Sequence, residues 1–92
     1  MKIVWDPDKA AANPRLHQGV TFTEAKAVLL DPFALTHEDP DAQGEQRFIT
    51  LGMGAKGRIL VVVYTYRKET IRVISAWKAN AKQRRRYENQ FR

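Results

Sequence analysis

Arg67 and Arg72 flank the pair Lys68-Glu69. The residues outside them, Ile59 to Tyr66 on one side and Ile71 to Trp77 on the other, are largely β-branched and aromatic. This pattern predicts two strands joined by a tight charged turn. With the loop symmetric about Lys68-Glu69, Arg67 faces Thr70 and Thr65 faces Arg72, so both guanidiniums lie on one face near one end of the hairpin. Two like charges that close must stay in water or share an anion. The pair is therefore either a solvated strand end or part of a phosphate site.

Other chemistries find little support in the residue types. His17 and His37 are the only histidines, no His-Glu-x-x-His occurs, and Asp39-Pro40-Asp41 lacks the further oxygen ligands of a calcium loop. Gly52, Gly54 and Gly57 spell a glycine string of the phosphate-binding type, but it falls between two strands and precedes no helix, so it reads as a hairpin connection. Ser75 lies inside a strand with no nucleophile elbow around it.

The elements that must position the arginines are legible from capping and periodicity. Lys2 to Trp5 reads as a strand. Asp6-Pro7 opens a helix to about Leu16, with Asp6 as cap, Pro7 at the first helical position, and Asn13-Pro14 as a kink or early stop. A second helix opens at Thr21-Phe22-Thr23-Glu24 with Thr23 as cap, carries Ala25, Val28 and Leu29 on its apolar face, and closes at Asp31-Pro32. Phe33 to His37 reads as a short strand, Glu38 to Gly44 as an acidic loop, and Gln46 to Leu51 as a strand feeding the long one. Three consecutive strands on short turns make an antiparallel meander, with the long strand central because it is apolar on both faces. Asn80 to about Asn89 is a terminal basic helix that offers Tyr87 and Phe91 for docking.

Composition bounds the rest. The 92 residues suit one domain spanning 1–92, and the absence of cysteine removes disulfides and thiolate metal sites. No apolar signal core stands at the N-terminus and the run Ile59 to Tyr66 is too short to cross a bilayer, so a cytoplasmic protein with no membrane partner is expected. The net charge of +6 is uneven. Asp31 to Glu45 holds only acids among its charges, whereas Lys78 to Arg92 holds Lys78, Lys82, Arg84, Arg85, Arg86 and Arg92 against Glu88. Such a basic stretch attracts polyanions, suits an acidic protein partner, or simply faces water.

Several dispersed motifs, in one order, resemble a known family. Val4-Trp5-Asp6-Pro7 with Lys9, then Asn13, His17-Gln18-Gly19-Val20, Phe22 and Glu24-Ala25, are similar to the N-terminal signature of the BrnT toxins. Glu45, Arg47 and Gly52 fit the middle. Thr65-Tyr66-Arg67, Ile71 to Ala76, Lys78-Ala79 and a basic helix ending in Arg86-Tyr87-Glu88 fit the close. These are RelE-like ribonucleases of type II toxin-antitoxin modules. The resemblance implies an α+β, RelE-like fold: an antiparallel β-sheet with N-terminal helices packed on it and a C-terminal basic helix.

It also implies metal-independent RNA cleavage with no cofactor, in which a ribose 2′-hydroxyl attacks the adjacent phosphorus. Cations must then take the phosphorane charge, with a proton donor or acceptor on each side. By resemblance Arg67, Arg72 and Lys78 supply charge and Glu45 and Tyr87 are the acid-base candidates, although Tyr87 could equally anchor its helix. Arg47 contacts phosphate or pairs with Glu45, and Trp77, Lys82, Arg84, Arg85 and Arg86 complete the RNA-facing set. The implied partners are the RNA, a BrnA-type antitoxin, and operator DNA only through that antitoxin. The family usually has arginine where this chain has Trp77. Either Lys78 compensates and Trp77 stacks an unpaired base, or the fold persists as a weakly active partner and corepressor of a DNA-binding antitoxin, or Trp77 is plain core.

Overall fold

The computed structural model describes residues 2–92. In chain order the elements are β1 (Lys2–Trp5), α1 (Pro7–Leu16), α2 (Phe22–Lys26), a 3-10 turn (Ala27–Leu30), β2 (Leu35–Glu38), β3 (Phe48–Met53), β4 (Ile59–Arg67), β5 (Thr70–Lys78), α3 (Ala81–Glu88) and a final 3-10 turn (Asn89–Phe91). Among the described residues no helix is long and apolar enough to cross a membrane.

The strands form one five-stranded sheet in the order β1-β5-β4-β3-β2. From β3 to β5 the sheet is the expected antiparallel meander, β2 adds to it antiparallel beside β3, and β1 pairs with β5 in parallel, Lys2 opposite Thr70 and Trp5 opposite Val73. The sheet is therefore mixed, which corrects the antiparallel expectation. The chain leaves β1 through α1 and α2, starts the meander at the opposite edge, and returns to place β5 beside β1. That partner is fixed by non-local packing, which a four-residue strand does not encode.

β4 sits in the centre and is buried from Ile59 to Thr65. Leu60, Val62 and Tyr64 point to one face and pack with Val20, with Phe22 and Ala25 of α2 and with Val28 of the 3-10 turn after it. Ile59 and Val61 point to the other and pack with Leu51, Ala79 and Tyr87, so α3 covers one end of that second face. Val63 pairs with Ser75 and Tyr64 with Val73, leaving Ile74 as an extra residue in a β-bulge.

Local chemistry explains where the elements begin. Asp6 caps α1 through the Asp8 amide at 2.9 Å, and Pro14 is accommodated within the helix. The cap of α2 is Thr21 and not Thr23: the Thr21 hydroxyl accepts the Glu24 amide at 3.0 Å, and Phe22 enters the core. β2 starts at Leu35, later than expected, because Asp31 folds Pro32 to Ala34 into a turn, its Oδ1 accepting the Phe33 amide. Asn80 and Gln83 close a reciprocal capping box on α3.

Both edge strands are short, and a side chain continues each ladder where they end. Beyond β1, the Asn13 carboxamide accepts the Ala76 amide at 3.3 Å and donates to the Ala76 and Val20 carbonyls, both at 2.8 Å. Beyond β2, the Asp31 carboxylate accepts the Met53 amide at 2.9 Å. The glycine string resolves as packing and turn chemistry. A Cβ on Gly52 would sit 3.1 Å from Val28 and Asp31, and Gly57, with φ +79°, closes the β3–β4 hairpin.

Candidate functional site

The β4–β5 hairpin turns on Lys68-Glu69 as its residues demand, with Thr65 opposite Arg72 and Arg67 opposite Thr70. Arg67 and Arg72 are thus diagonal neighbours on the second face, at the end that α3 leaves open, a spacing of about 7–8 Å that long side chains bridge. The segment before β3 brings two more charges. The Thr65 hydroxyl donates to the Gln46 carbonyl at 2.6 Å, which ties that segment to β4 and sets Glu45 beside Arg67.

Glu45 lies between two guanidiniums, 3.5 Å from Arg67 Nη2 and 3.7 Å from Arg47 Nη2. Both contacts are longer than a good charge-assisted hydrogen bond, and all three side chains are partly open to solvent. One carboxylate among Arg47, Arg67 and Arg72 leaves an excess of positive charge. Arg47 Nε is buried with no hydrogen-bond partner among the described residues. That burial keeps Arg47 Nε out of reach of a substrate oxygen, and Glu45 is held only loosely by its two arginines.

Farther along β5 the bulge has a consequence that simple alternation conceals. Counted two by two, Arg72 and Trp77 would face opposite sides of the sheet. The extra residue at Ile74 brings Trp77 opposite Val61 and Arg72 opposite Thr65, both on the second face. Trp77 is half-buried, with its ring centroid 5.7 Å from that of His17, and Ser75 Oγ lies 3.5 Å from His17 Nε2. His17 and Ser75 were not candidates from sequence. The signal for His17 was its place at the end of α1, and nothing in its spacing tied it to β5. Lys78 is exposed at the strand end, beside Trp77.

The other sequence candidates lie elsewhere. Tyr87 is buried, and its hydroxyl donates to Asp31 Oδ2 at 2.5 Å, while its ring packs against Phe91 at 5.6 Å. Burial and the neighbouring Asp31 carboxylate push its pKa up to about 12. Burial pushes Asp31 up as well, but the Tyr87 hydroxyl and the Met53 and Phe33 amides outweigh it and hold the carboxyl below its ordinary range. Lys82, Arg84, Arg85 and Arg86 are exposed on α3, with Arg84 donating to the Ala79 carbonyl at 3.2 Å. Among the described residues no group of three His, Cys, Asp or Glu side chains gathers closely enough to hold a metal ion.

A family model described as "Ribonuclease toxin, BrnT, of type II toxin-antitoxin system" matches residues 5–83. Among solved structures, the crystal structure of the Brucella abortus ribonuclease toxin BrnT aligns with a TM-score of 0.64 at 24% identity, covering 87% of this chain and 97% of that one. At that identity the likeness is one of fold. No curated protein matches the sequence.

Proposed function

Since this chain belongs to the BrnT family of ribonuclease toxins of type II toxin-antitoxin systems, we propose that it is a metal-independent, RelE-like endoribonuclease working from the open end of its second sheet face. The observation that carries this reading is Glu45 held loosely between Arg47 and Arg67, with Arg72 opposite Thr65 on the same sheet face. In the reaction the 2′-hydroxyl loses its proton to Glu45, its oxygen bonds to phosphorus, and the bond from phosphorus to the 5′-oxygen breaks, the leaving oxygen taking a proton from water. Arg67 and Arg72 stabilise the added charge on the non-bridging oxygens, and Arg47 adds positive charge beside them. Lys78 and the basic face of α3 hold flanking phosphates.

Tyr87 falls outside this assignment. A hydroxyl committed to Asp31 with a pKa near 12 neither donates nor accepts a proton readily at neutral pH. We assign it to anchoring α3. Tyr87→Phe is expected to lose about 1.5–3 kcal/mol of stability with the charge-assisted bond, and to keep its cleavage rate per folded molecule. Urea unfolding beside an RNA cleavage assay checks both.

In the cell this activity would arrest translation in the cytoplasm until a BrnA-type antitoxin covers the basic surface, with operator DNA contacted only through that antitoxin. Expression of the chain alone is the direct test: growth arrest with loss of translation and of intact messenger RNA is expected. One observation favours a second reading. Trp77 packs against Val61 and places no guanidinium at its end of β5, as would suit a weakly active partner and corepressor. Normal growth at verified folded expression would select that reading.

A further inference from the structure

We propose that the cleft bordered by His17 and Trp77 binds one unpaired nucleobase, stacked on the indole, while Lys78 takes the flanking phosphate. The inference rests on the nuclease reading above and adds a subsite to it. The cleft is lined by Leu16, His17, Gln18, Trp77 and Lys78 and has a volume of about 410 Å³. The indole packs with the Val61 cluster on its inner side and borders the cleft on its outer side. The imidazole, inclined at 43° with its centroid 5.7 Å from that of the indole, already touches the ring, so a base stacks on the part of the indole that the imidazole leaves open to the cleft. Leu16 supplies an apolar rim and is itself 72% exposed.

The lining matches a base better than a phosphate. Two aromatic rings and a leucine offer π-face and apolar contact, while the imidazole edge and the Gln18 amide offer hydrogen bonds to a base edge. Position supports the same occupant. The bulge sets Trp77 on the face that carries Arg67 and Arg72, five residues along β5 from Arg72, on the order of 16 Å. A single strand leaving the arginine cluster spans that distance in a few nucleotides. Lys78 also lines the neighbouring cleft of about 470 Å³ with Arg84, Glu88 and Arg58, the last already paired with Glu24, so Lys78 and Arg84 supply the positive charge past the base.

The chain has two tryptophans, and Trp5 packs edge-on against Phe22 in the core. Trp5→Phe therefore leaves Trp77 as the sole indole reporter in the full-length protein. The probe is a short single-stranded RNA with 2′-fluorine in place of each 2′-hydroxyl, which cannot be cleaved by 2′-attack. It carries a terminal dye for anisotropy and is prepared with one abasic position walked along it. Binding is expected to quench Trp77 emission, and one abasic position is expected to weaken binding roughly 5- to 150-fold. Trp77→Phe should retain most of that sensitivity. Trp77→Leu should lose it, binding intact and abasic probes alike. Saturation by anisotropy with unchanged Trp77 emission overturns the subsite and leaves the nuclease reading standing, and the cleft would then belong to another occupant such as the antitoxin. Absence of both binding and cleavage of ordinary RNA by the Trp5→Phe protein overturns the two together.

Discussion

Alanine at Arg72 or at Arg67 is expected to slow RNA cleavage by on the order of 100-fold or more while moving the thermal midpoint by no more than a few degrees. The large kinetic effect follows from where the charge develops. The phosphorane carries a negative charge that the ground-state phosphate lacks, and a donor already fixed against it contributes to the barrier without reorganising. The small structural effect follows from exposure. Arg67 has 58% of its side chain open to solvent and meets Glu45 only at 3.5 Å, and an exposed ion pair of that kind contributes about 0–1 kcal/mol. Lysine at either position should recover only part of the rate, because it restores the charge without the planar fork. The double variant should lose less than the product of the two single losses, since both arginines act on one group. Early unfolding of both alanine variants, with activity per folded molecule preserved, would show that the arginines serve the fold instead.

The hairpin carrying those arginines was legible because its determinants are local. β-branched runs on both sides of a two-residue turn leave one register that keeps the apolar residues inside, and Thr65 opposite Arg72 follows from it. The bulge at Ile74 was not legible, since no glycine or proline marks it, and the face of Trp77 was lost with it. The parallel pairing of β1 and the meeting of His17 with Ser75 join residues far apart in sequence, and spacing says nothing about such pairs. Tyr87 was ambiguous for a different reason. A tyrosine in a terminal helix looks the same in sequence whether its hydroxyl meets a substrate or Asp31, and only the packing of Ala79, Tyr87 and Ile59 separates the two.

The largest stability effect is expected at Arg58. Its guanidinium grips the Glu24 carboxylate at 2.5 Å and 2.8 Å, in a fork that ties α2 to the start of β4, and its Nη2 lies 3.4 Å from the Gly19 carbonyl. The two partners are unequally buried: the Glu24 side chain is 1% exposed and that of Arg58 is 30% exposed. Arg58→Ala strands a carboxylate in the core, at a cost of about 3–5 kcal/mol against the roughly 5–15 kcal/mol that holds a domain together. Glu24→Gln should cost less, because the freed guanidinium can turn toward water. Replacing both by methionine should recover much of the loss, as removing a buried pair whole is far cheaper than breaking it. The pH dependence separates this mechanism from simple loss of packing. In the native protein the Arg58 hydrogen bond outweighs burial and holds the Glu24 carboxyl below its ordinary range. The contribution of Glu24 is then fully present above the unfolded pKa and is lost as pH falls through the folded one. Without Arg58, burial is the largest remaining influence on Glu24, opposed by the Lys56 charge and the Thr21 backbone hydrogen bond, so the folded pKa rises: the stability of Arg58→Ala relative to the native protein should increase on acidification from pH 7 toward pH 5. Urea unfolding across that range checks it, and parallel pH profiles for the two proteins would show that Glu24 does not remain buried and uncompensated in the variant.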